Sequence, residues 1–127
     1  MIHFRKIKPL IQELEKSTKH ERVEFFKNPE HFVFWWYYHF YNNFKTDLAP
    51  FHYEWIKDIT INRDLSILIK GFRGSIKTEI VKVYLVYCIC YKIEPYIVIQ
   101  SFDSSSSEDM VRNVARMLMN ESLVKDY

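Results

Sequence analysis

The chain has 127 residues, a formal net charge of +2, and 48% hydrophobic against 27% charged residues. That length holds one domain at most, and the apolar share is enough for a packed core rather than a disordered chain. The small charge does not by itself imply a nucleic-acid footprint, because such surfaces usually carry a clustered basic face. Lys82, Lys92 and Glu94 interrupt the most apolar region, so no stretch is expected to span a bilayer. Residues 1–10 lack the apolar run and cleavage site of a secretory signal. Cys88 and Cys90 lie two apart in a helical pattern and point to different sides, so they are not expected to pair. Free thiols fit a reducing compartment, and the expected location is the cytoplasm.

In chain order, Leu10, Ile11, Leu14, Val23 and Phe26 recur at helical spacing and predict one or two amphipathic helices, broken near Ser17-Thr18. Asn28-Pro29 predicts a turn and a new helix start, with Asn28 as the cap. Residues 31–41 follow, with Phe32, Phe34, Trp35, Trp36, Tyr37, Tyr38, Phe40 and Tyr41 on every face of a helix, so periodicity assigns no buried side. The run holds no Arg or Lys to interleave with bases, and a packing role is expected, sandwiched between the ATPase-like part of the chain and missing or partner protein. His31 and His39 have no acidic or cysteine ligand beside them and do not make a metal site. Asn42, Asn43 and Thr46 end this part, giving an amino-terminal helical region over residues 1–45 and a second part over residues 46–127.

The second part opens with a short helix carrying Phe51, His52, Tyr53 and Trp55, which either covers a sheet edge or meets a nucleotide base. Residues 65–69 (Leu-Ser-Ile-Leu-Ile) form a short apolar run that predicts a buried parallel strand. The chain's two glycines, Gly71 and Gly74, then lie three apart. They sit in Gly71-Phe72-Arg73-Gly74-Ser75-Ile76-Lys77-Thr78, just before a helical pattern that runs to about Tyr91 and is expected to stop at Pro95. Strand, glycine loop and helix, with a lysine and a hydroxyl where the helix opens, is the layout of a phosphate-binding P-loop. In such a loop, backbone amides wrap the phosphates, Lys77 reaches them, and the Thr78 hydroxyl binds Mg2+. The full pattern asks for glycine at Ile76, and a β-branched side chain there crowds the phosphate. Residues 96–100 (Tyr-Ile-Val-Ile-Gln) predict a second strand, and residues 104–107, all serine, lead into a helix with a Ser105/Glu108 capping box.

The order predicts an α/β fold, a partial P-loop NTPase with a parallel β-α-β-α unit behind the helical amino-terminal region. Hydrolysis needs an acidic residue at the end of a second strand, but residues 96–100 run into Gln100-Ser101. Binding of ATP with Mg2+ without efficient turnover is therefore expected. The chain also looks unfinished, since two strands do not make a stable sheet.

These residues resemble the large subunit of phage terminases, the ATPase that packages viral DNA. The resemblance rests on residues 51–55, on the loop 71–78 with its internal Arg73, on the tyrosine-rich helix through Lys92, on residues 96–101 and on the helix beyond Glu108. It implies that Lys77 and Thr78 hold phosphates and Mg2+, that Arg73 sits near the γ-phosphate as a catalytic cation, and that Phe51 and His52 lie close to the adenine. The expected activity is that of an ATP-binding, truncated portion of the packaging ATPase, in the host cytoplasm if phage-encoded. Its expected partners are a nucleotide and the remaining terminase polypeptide, or another copy through the aromatic helix, with DNA met only indirectly. The alternative reading is a non-catalytic interaction module with a decayed P-loop fold.

Overall fold

A computed structural model describes residues 4–40, 48–61, 70, 77–101 and 103–127. Within them lie seven α-helices: α1 (Phe4–Lys16), α2 (Lys19–Lys27), α3 (Phe32–His39), α4 (Pro50–Thr60), α5 (Lys77–Cys90), α6 (Ser104–Leu118) and α7 (Glu121–Asp126). They fall into two compact units, one of Met1–Lys77 with Asp126, the other of Thr78–Lys125 with Tyr127.

In the first unit, Ile7, Ile11 and Leu14 form the buried stripe of α1, at the spacing that keeps side chains on one helix face. The expected break falls at Ser17-Thr18. There Thr18 Oγ1 accepts from the Glu21 N–H at 3.2 Å, and the Glu21 carboxylate accepts from the Thr18 N–H at 2.9 Å, a reciprocal cap that starts α2. Asn28 caps the following turn as its spacing predicts, its side-chain oxygen accepting from the Glu30 N–H at 3.0 Å. The turn leads into α3, where Phe32, Val33, Trp35, Trp36, Tyr37 and His39 are all buried. Most of the aromatic run is thus packed in the core of this unit, with Phe34 and Tyr38 half-buried.

In the second unit the buried side chains come from three helices: Ile80, Val83, Val86, Tyr87 and Cys88 on α5, Val114 on α6 and Leu123 on α7. Helix α5 ends before Pro95 can stop it. The Ile93 N–H bonds back to the Cys88 carbonyl at 3.0 Å and the Lys92 N–H to that of Ile89 at 3.3 Å, with Lys92 at φ 53°. This is a Schellman close with lysine where glycine is usual. Helix α6 is capped by Asp103, whose carboxylate accepts from the Ser106 N–H at 2.6 Å, and not by the expected Ser105/Glu108 box.

The expected α/β architecture is corrected here: among the described residues there is no β-strand and no sheet, so the parallel β-α-β-α unit of a P-loop NTPase is not seen. Residues 96–100 take no part in a ladder. Tyr96 is 82% and Val98 71% exposed, and the run lies along the surface of its unit. The physical reason is that β-branched composition only makes a segment suitable for a strand, whereas a strand exists when a neighbour supplies the ladder. The other expected strand, residues 65–69, lies outside the described residues.

Candidate functional site

Of the expected phosphate cradle, Gly71, Phe72, Arg73, Gly74, Ser75 and Ile76 lie outside the described residues. Lys77 and Thr78 both lie in α5, Lys77 half-buried and Thr78 exposed. Glu79 in the same turn bonds forward to Lys82, Oε2 to Nζ at 2.9 Å.

The two expected base-contacting residues sit on α4, which begins at Pro50. The His52 ring is buried, and its Nδ1 accepts a hydrogen bond from the Ala49 N–H at 2.9 Å. It therefore does the work of an N-cap side chain, holding the start of the helix. Phe51 is half-buried, with its centroid 4.2 Å from the His52 ring and 5.0 Å from that of Trp55. On the same helix, Tyr53, Ile56 and Lys57 line a cavity of about 190 Å³ together with Phe32 and Phe34 of α3. Neither Phe51 nor His52 is among its lining residues.

Two polar arrangements of the first unit escape the sequence pattern altogether. The Arg22 guanidinium forks onto Asp126, Nε to Oδ2 at 3.0 Å and Nη2 to Oδ1 at 2.9 Å, with both residues buried. Its Nη1 also donates to the carbonyls of Leu14 and Ser17, where α1 ends. His39 lies buried among Phe26, Trp35 and Tyr38, and desolvation, offset in part by Asp126, pushes its imidazole down to about 4. It stays neutral at physiological pH. In the second unit, burial pushes the Cys90 thiol up to about 11, the opposite of an activated nucleophile. Cys88 is buried. Among the described residues, no three His, Cys, Asp or Glu side chains gather as a metal site, and no helix is long and apolar enough to cross a membrane.

No protein-family model, curated protein or solved structure matches the chain. The site must be argued from its residues.

Proposed function

We propose that this chain binds the triphosphate of ATP, with Mg2+, where residues 71–78 lead into α5, as the nucleotide-binding portion of a DNA-packaging ATPase resembling the terminase large subunit. The observation that carries this reading is the coincidence of two things. The chain's only two glycines stand in the motif Gly71-Phe72-Arg73-Gly74-Ser75-Ile76-Lys77-Thr78, and the lysine and hydroxyl that end the motif are helical residues of α5. Backbone amides of a glycine-bearing loop and a helix start suffice to hold phosphate oxygens, and this part of the reading needs no sheet.

Lys77 supplies the point charge for the β- and γ-phosphates, the Thr78 hydroxyl is the Mg2+ ligand, and Arg73 is the cation for the terminal phosphate. Phe51, with its half-buried ring, is the base-contacting member of α4, and His52 supports it by capping that helix. No carboxylate is assigned to activate water, so binding with little turnover is the activity proposed.

Calorimetric titration of the chain with ATP and Mg2+, repeated on Lys77→Ala, tests this. A saturable heat that the variant loses supports it, and equal heats from both proteins overturn it.

A further inference from the structure

We propose that α6 is a self-association surface, through which two copies of this chain pair antiparallel with Asp109 of each against Arg116 of the other. Along the outer face of α6, Val111, Ala115 and Met119 follow one another at four-residue steps, on one side of the helix. Val111 is 52% exposed and Met119, the residue that caps α6, 76%, while Val114, about 100° further round the helix from Ala115, is buried in the unit. The helix therefore has an inner face already used and an outer apolar line that is not.

Charge decides what covers that line. The acidic residues Glu108 and Asp109 precede the basic residues Arg112 and Arg116. Arg112 is already engaged within its own helix, 2.9 Å from Asp109 and 3.4 Å from Glu108. Arg116 is exposed and forms no ion pair among the described residues. A parallel partner helix of the same sequence sets Arg116 beside Arg116. An antiparallel one, with the two-fold axis at the level of Asn113, sets Val111 opposite Ala115 of the second copy. Asp109 then falls within one residue, about 1.5 Å of rise, of Arg116 of the second copy. Both contacts occur twice by symmetry, as in any isologous interface. The small side chain of Ala115 lets the helices approach at their crossing, and the acid-then-base order of α6 is complementary to itself only in this direction. That self-complementarity identifies the occupant as a second copy.

Sedimentation equilibrium of the full chain over a range of concentrations tests this. A concentration-dependent dimer is expected. Arg116→Glu, at an exposed position, weakens association by about tenfold, since two ion pairs become two repulsions. Combining Asp109→Arg with Arg116→Glu restores it, and Tyr96→Ser, on the exposed run of the same unit, leaves it unchanged. The proposal is overturned by a monomer at every concentration, by an Arg116→Glu chain that associates like the parent, by failure of the charge swap to restore pairing, or by loss of the dimer in Tyr96→Ser.

Discussion

Arg22 grips Asp126 through two hydrogen bonds, 3.0 and 2.9 Å, although 104 positions separate them in the chain. Both side chains are buried, and the remaining guanidinium donor closes the turn between α1 and α2 through the carbonyls of Leu14 and Ser17. Taking one partner away leaves the other charged and buried, which costs about 3 kcal/mol. Arg22→Met is expected to lower stability by that much in urea unfolding. Arg22→Met with Asp126→Leu is expected to cost clearly less than the two single changes added together. Since burial shields the pair from salt, the loss should barely change between low and high ionic strength.

His39 gives the same unit a dependence on acid. Its folded pKa lies below the unfolded value of 6.5, at about 4, chiefly because burial disfavours the imidazolium. The neighbouring Arg22 adds to this, and Asp126 opposes it. The unfolded chain therefore takes up this proton first as pH falls. The His39 contribution to stability is complete above pH 6.5 and is lost progressively down to pH 4, to a total on the order of 3 kcal/mol. Unfolding free energies measured across that window should fall for the parent. They should fall measurably less for His39→Phe, which removes the titrating group from an aromatic setting.

Much of the helical framework is legible in the sequence because it is local. The Ile11–Leu14 spacing, the Ser17-Thr18 break and the Asn28-Pro29 start each involve residues within one turn of each other. The core role of α3 is not, since aromatics on every face remove the periodicity that would reveal a buried side, and only packing shows that Trp35 and Tyr37 are fully enclosed. Residues 96–100 mislead for the converse reason: their apolar, β-branched composition suits a strand on paper, but a ladder is a tertiary property. The Arg22–Asp126 pair has no local signature at all. The phosphate-site expectation stands on the motif and on the helical state of Lys77 and Thr78, because residues 71–76 lie outside the described residues.

Lys92 carries a local conformational cost that can be removed. Its φ of 53° closes α5 through the Cys88 and Ile89 carbonyls, in a region where a Cβ is crowded by the following carbonyl. Lys92→Gly is expected to raise stability by about 1 kcal/mol, less the entropy glycine adds to the unfolded chain. A rise in the urea midpoint at unchanged slope is the signature to look for.

The phenols of Tyr91 and Tyr127 are hydrogen-bonded at 2.5 Å, their ring centroids 5.2 Å apart. Burial first, and then that bond, raise the Tyr91 pKa above its ordinary 10.0. A raised folded pKa means that this contribution is complete below pH 10 and is lost as pH climbs beyond it. Tyr91→Phe should cost about 1 kcal/mol at neutral pH, the net worth of one hydrogen bond. In a spectrophotometric alkaline titration it should also delete one of the late-ionising phenols.

Ile76 offers the sharpest test of the phosphate reading, because it stands where the P-loop pattern asks for glycine. If ATP sits against the amides before Lys77, a β-branched side chain one residue earlier occupies space the phosphate needs. Removing three of its four side-chain carbons relieves that crowding without touching Lys77 or Thr78. Ile76→Ala is therefore expected to tighten ATP binding by about tenfold, roughly 1.4 kcal/mol, with no accompanying gain in turnover, since no carboxylate has been added to activate water. If Lys77→Ala abolishes the binding heat while Ile76→Ala leaves it as it was, ATP binds through the lysine but the phosphate does not pass Ile76. The steric account of that position then fails while nucleotide binding stands.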